Sequence, residues 1–176
     1  MEAAALDLAL EPSRPTLTAD AVMVAQTGPS RTSGKVLLVR RAGPPFEGCW
    51  ALPGGLVSEG EPLKDAASRH LAAETSFRTC GSPLHQLGTF GDPGRDPRGW
   101  TVSVAYGAVV LDTHMEVAAG GGASEARWFP LFDLPQLALD HAAILQQCLD
   151  RLVDIHRFLP KAFLDHLLSA SVRLKP

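Results

Sequence analysis

Apolar and polar positions along the chain separate into strand-like and helix-like pieces. Residues 18–26 (TADAVMVAQ) and 35–41 (KVLLVRR) are short, apolar and rich in Val, and TGPSRTSG between them is a Gly/Ser/Pro hairpin-like loop. Residues 84–90 (LHQLGTF) and 101–111 (TVSVAYGAVVL) predict two longer strands. They are joined by GDPGRDPRGW, which is almost all breakers and charge. Gly120-Gly121-Gly122 predicts a flexible loop before a short strand at 125–129. Residues 63–75 contain no Gly or Pro and are rich in Ala and Leu, so they predict a helix. Pro62 fits its first turn, where a missing N–H costs nothing. Asp140 is placed to cap a second helix over 141–157, with Ile144, Leu145, Cys148, Leu152 and Ile155 on one stripe. Pro160 breaks that helix, and 161–172 predict a last short one. The fold class is therefore α/β: one domain at residues 16–157, an N-terminal tail at 1–15 and a C-terminal helical extension at 158–176.

Composition narrows the function classes. Apolar residues make up 45% of the chain and charged ones 20%, the profile of a globular protein. A formal net charge of −3 gives no electrostatic footprint for nucleic acid. Cys49, Cys80 and Cys148 are odd in number and lack metal-ligand spacing, so they predict reduced thiols and a cytoplasmic setting. No apolar stretch reaches membrane-span length, so no membrane is expected as a partner.

The candidate chemistry lies at residues 54–77, GGLVSEGEPLKDAASRHLAAETSF. Pro53-Gly54-Gly55 predicts a turn whose backbone N–H groups would suit phosphate. On the helix that follows, residues 70, 73 and 74 are related by i, i+3 and i+4 and share one face. Three carboxylates there would make a site for Mg²⁺, which takes hard oxygen ligands from one or two carboxylates, water and substrate phosphates. This chain offers His70, Ala73 and one carboxylate, Glu74. His70 is a candidate base, because its unperturbed pKa is about 6.5. Arg95 and Arg98 are candidates for gripping a diphosphate. Trp100 is the candidate exposed stacking surface, while Trp50 and Trp128 read as core. His85, His114, His141, His156 and His166 share no short ligand spacing and are assigned no metal.

Gly55, Glu61, Arg69 and Glu74 stand at the spacing of the Nudix box, and the chain resembles the Nudix hydrolases over roughly residues 16–156. PFEGCWALPGG (45–55), GTFGDPGRDPRGWTVSVAY (88–106) and EARWFPLFDLPQLALDHAAIL (125–145) look most like the ADP-ribose pyrophosphatase branch and the NAD-metabolism repressors built on the same domain. The resemblance implies an α/β/α sandwich with a mixed sheet, a nucleotide ligand, and Mg²⁺ or Mn²⁺ if the protein is active. It places Glu74 and Glu61 on metal-binding or box carboxylates and Arg69 on the arginine that organises the box. His70, Ala73 and Ser76 depart from the box, and Gly121-Gly122 stand where relatives carry two aspartates. Glu59 and Glu125 are the carboxylates available as substitutes.

The expected function is binding of a nucleoside-diphosphate-linked compound such as ADP-ribose, with metal-dependent hydrolysis impaired or lost. Two alternatives stand beside it. One is an active hydrolase using Glu61, Glu74 and His70. The other is a non-catalytic subunit that meets a protein partner or a second copy through Leu6, Leu8, Leu10, Phe163, Leu167 and Leu168. DNA is not expected as a partner, because only about one helix follows Pro160 and a recognition helix–turn–helix needs two.

Overall fold

The longest strand sits at the centre of the sheet. In this computed structural model, which describes residues 14–28, 30–79, 82–111 and 116–174, β1 (Thr16–Thr27) is flanked by β2 (Ser33–Arg41) and β6 (Thr101–Leu111). β1 runs antiparallel to β2 and parallel to β6, with Thr16 opposite Thr101 and Gln26 opposite Leu111. The seven-stranded sheet is therefore mixed, in the order β3-β2-β1-β6-β5, with β3 at Trp50–Ala51 and β5 at His85–Phe90. β4 (Gly54–Leu56) pairs with the start of β1, and β7 (Ala123–Pro130) pairs with β2.

Both faces of β1 are covered, which explains its nearly continuous apolar sequence. On one face Ala19, Ala21 and Met23 meet Ala66, Ala67 and Leu71 of α1 (Leu63–Thr75). Small residues on both sides let this helix lie close to the sheet. On the other face Val22 and Val24 meet Ile144, Leu145, Cys148 and Leu149 of α2 (His141–Ile155). The expected α/β/α sandwich is what forms.

Several local expectations are corrected. Gly54 and Gly55 lie in a short strand rather than a turn, because their backbone extends to pair with Ala19 and Asp20. Asp140 makes no capping bond to α2; its carboxylate is taken by Arg95 instead. α2 ends at Ile155, and its buried stripe includes Leu149 where Ile155 was expected. α3 (Lys161–Arg173) packs into the shared core, with Phe163 and Leu167 fully buried. Those two side chains are thus not available to a partner protein, and only Leu168 of the named C-terminal residues is exposed. Leu6, Leu8 and Leu10, like Cys80 and His114, lie outside the described residues. Cys49 and Cys148 are free thiols. Among the described residues no helix is long and apolar enough to cross a membrane.

Candidate functional site

A cleft of about 310 Å³ opens where the start of β1 meets β4, the 91–100 loop and the start of α2. Its floor is built around Asp20, a buried carboxylate in the central strand. A buried charge is costly unless hydrogen-bonded. Here the Ser103 hydroxyl donates to Oδ2. Oδ1 faces Gly54, where a Cβ would stand only 2.1 Å away. Glycine is required at 54 because of this close approach, not because of a special backbone angle.

Glu74 meets the same spot from α1. Its Oε2 accepts the Gly54 N–H at 3.1 Å. Burial is the main cause that pushes the Glu74 carboxyl up, to about 7; the Gly54 N–H opposes it, the charge of Asp20 adds to it and Arg41 lowers it. Asp20, Gly54 and Glu74 thus form one polar cluster beneath the cleft.

The remaining box residues form a different cluster. Arg69 grips Glu61 with two 2.7 Å bonds, from Nε and Nη2, and also donates to the Leu56 carbonyl. The Ser58 N–H donates to Glu61 as well. The Arg69 bond first and the Ser58 N–H second hold Glu61 down at about 2. His70 Nε2 lies 2.9 Å from the Leu56 carbonyl and 3.2 Å from Arg69 Nη1. One ring nitrogen cannot donate to the first and accept from the second at once; the carbonyl bond places a proton on Nε2. The ring also fills the space beside Gly55, where a Cβ would meet His70 Cε1 at 2.5 Å. His70 braces the box loop and does not line the cleft.

Arg95 and Arg98 do line the cleft, but both guanidinium forks are engaged. Arg95 makes a bidentate pair with Asp140, and Arg98 makes one with Asp96. Trp100 is half exposed, as expected, yet stands outside the lining. Glu59 is exposed on its loop. Glu125 is tied to Arg40 and Arg127. Trp50 and Trp128 pack against Phe129 and Phe77, in keeping with core roles.

The lining residues not foreseen from the sequence include Asp20, Arg41 and His141. The signal for Asp20 was visible, since it is the lone charge inside the apolar run ADAVMVA. Arg41 and His141 carried no comparable signal, because only the fold brings the end of β2 and the first residue of α2 to β4. His141 Nδ1 accepts the Leu52 N–H at 2.9 Å, and burial lowers the pKa of its ring.

The NUDIX domain family matches residues 17–151. The chain belongs to this family. An ADP-ribose pyrophosphatase from Methanocaldococcus jannaschii is 40% identical over 124 residues, 70% of each chain. The ADPR responsive transcriptional repressor NtrR of Acinetobacter baylyi is 35% identical over 130 residues, 70% of this chain and 50% of the repressor. The chain therefore spans about half the length of that relative. The NUDIX domain of Shewanella oneidensis NrtR, solved in complex with ADP ribose, superimposes with a TM-score of 0.72 at 35% identity, covering 80% of this chain and 90% of that one. One relative being a transcriptional repressor, the expectation that DNA is not a partner gains no support here.

NUDIX proteins generally use a divalent metal. The side chains around this cleft do not fit one well. Among the described residues no group of three or more His, Cys, Asp or Glu is arranged to hold an ion. Glu61 is held by Arg69 through both oxygens, while Asp20 and Glu74 each spend one oxygen, on Ser103 and on the Gly54 N–H.

Proposed function

We propose that this protein binds a nucleoside-diphosphate-linked compound such as ADP-ribose, with metal-dependent hydrolysis impaired or lost. The observation that carries the reading is the α1 face that bears residues 70, 73 and 74. Positions 70, 73 and 74 supply an imidazole tied to Leu56, a methyl group, and one carboxylate whose pKa is about 7. Without a cluster of ionised carboxylates, too little charge is present to hold a dication, and His70, the candidate base, is tied to the Leu56 carbonyl.

Ligand binding does not need that cluster. Arg41 donates from Nε to the Pro45 carbonyl. Among the described residues it is the cleft-lining arginine without a carboxylate partner. A guanidinium in that state suits diphosphate oxygens. Arg95 and Arg98, in contrast, serve as structural pairs that hold the 91–100 wall in place. The relatives support the ligand class: one is an ADP-ribose pyrophosphatase and another was solved with ADP ribose.

Turnover of ADP-ribose with Mg²⁺ or Mn²⁺ tests the catalytic half of the reading. Enzymes typically turn over at about 10 per second, and losing a general base costs roughly 100- to 10,000-fold. The expected rate is therefore below about 0.1 per second. An ordinary enzymatic rate that Glu74→Gln abolishes would establish the active-hydrolase alternative instead.

A further inference from the structure

From the cleft geometry we infer that His141 and Asp20 form a subsite for a sugar hydroxyl, His141 donating from Nε2 and Asp20 accepting at Oδ1. This rests on the nucleoside-diphosphate reading and names the part of the ligand read here.

His141 is the first residue of α2 and is 5% exposed, yet its imidazole lines the cleft. Nδ1 is fixed as an acceptor by the Leu52 N–H at 2.9 Å. In a neutral ring the proton then sits on Nε2. Burial keeps the ring neutral, against the opposing charges of Asp20 and Asp140 and with help from Arg95 and Arg41. Among the described residues Nε2 has no protein partner, and it is not sealed from solvent. The ring is therefore a fixed, uncharged N–H donor with nothing in the protein to donate to.

Its orientation is secured from outside. The Arg95–Asp140 pair, bidentate at 2.7 and 2.8 Å, ties the residue just before His141 to the 91–100 loop. The Arg95 side chain is 5% exposed and that of Asp140 26%, so this is a partly buried clamp rather than a surface ion pair. Arg95 and Asp140 are positioning residues for His141.

Asp20, in the lining of the same cleft, offers the complementary group. Its Oδ2 is used by Ser103, and Oδ1 remains on the Gly54 side. An N–H donor and a carboxylate acceptor lining one cleft match a group that both accepts and donates. A hydroxyl does both, whereas an ionised phosphate oxygen only accepts and would be repelled by Asp20 and by Glu74 when ionised. Phosphates are better placed toward Arg41, leaving sugar hydroxyls for His141 and Asp20.

The discriminating variant is His141→Asn. Asparagine keeps a side-chain acceptor near the Nδ1 position for the Leu52 N–H, so the fold is retained, but it lacks a donor at Nε2. ADP-ribose and inorganic pyrophosphate are titrated into both proteins without metal. Loss of one hydrogen bond predicts ADP-ribose binding roughly 3- to 10-fold weaker, with pyrophosphate unchanged. A second measurement uses wild-type protein alone. Nitrogen NMR of the ¹⁵N-labelled histidines reads the His141 Nε2 signal, which should shift with ADP-ribose and stay still with pyrophosphate. Wild-type binding of ADP-ribose that leaves the Nε2 signal unmoved, or that His141→Asn does not weaken, overturns this subsite alone. No wild-type binding of either compound overturns the ligand reading and the subsite together.

Discussion

Replacing Glu74 by Gln should stabilise the protein at neutral and alkaline pH, although the residue stands on a box carboxylate. Burial and the neighbouring Asp20 raise its pKa from 4.5 to about 7. The folded protein therefore holds this proton more tightly than the unfolded chain does. Between about pH 4.5 and 7 the native state binds more protons, so stability falls as pH rises through that window. Above pH 7 the penalty is complete. At about 1.4 kcal/mol for each tenfold change, it amounts to about 3 kcal/mol. Glutamine keeps an oxygen to accept the Gly54 N–H and cannot ionise. Urea denaturation of both proteins at pH 5 and pH 8 measures the effect. Glu74→Gln should gain about 3 kcal/mol at pH 8 and only about 1 kcal/mol at pH 5. Equal stabilities at both pH values would show that Glu74 is not held near neutrality in the folded protein, and the electrostatic picture of the cleft would be wrong.

Other perturbations follow from the same geometry. His70→Glu with Ala73→Glu would place carboxylates at 70, 73 and 74, and the double variant should gain a melting-temperature response to Mg²⁺ that the parent lacks. At a metal concentration of about 100 times Kd the gain is about 2.7 kcal/mol, several degrees for a domain of this size; a response no greater than the parent's would mean that α1 does not turn that face to the site. Phe163→Ala should cost about 3–5 kcal/mol by chemical denaturation, because its ring is fully buried between α3 and the sheet. A loss under 1 kcal/mol would mean that α3 is detachable from the core. Arg41→Gln should weaken ADP-ribose binding roughly 10-fold or more, the scale of a hydrogen bond to a charged group. Unchanged affinity would move the diphosphate elsewhere.

The elements were legible because each has its own local signal. The apolar run of β1, the breaker-free stretch of α1 and the stripe of α2 fix periodicity and length without help from the rest of the chain. β4 was not legible, because Gly54 and Gly55 read as a turn until β1 supplies a pairing partner. The resemblance located Glu61 and Arg69 in the box, but their ion pair was not foreseen, since Glu61 was expected to hold metal. Nor were the roles of the cleft arginines. Arg95 and Arg98 sit in a loop whose composition suits phosphate binding, yet Asp140 lies 45 residues from Arg95, and only the fold brings the two together. His141 was set aside because its sequence spacing to other histidines suggested nothing. Its role depends on the Leu52 N–H, 89 residues away. Ser76 shows the opposite case, since the box position that normally carries glycine takes a left-handed φ of 56° here, and the backbone need survives the change of residue.

Calorimetric titration of ADP-ribose into the wild-type protein, first in EDTA and then with Mg²⁺, tests the central claim most directly. The expected result is saturable heat with a Kd in EDTA within about threefold of that in Mg²⁺, and no continuing heat of hydrolysis after the injections. Silence in EDTA, with strong binding and steady hydrolytic heat once Mg²⁺ is added, would contradict it.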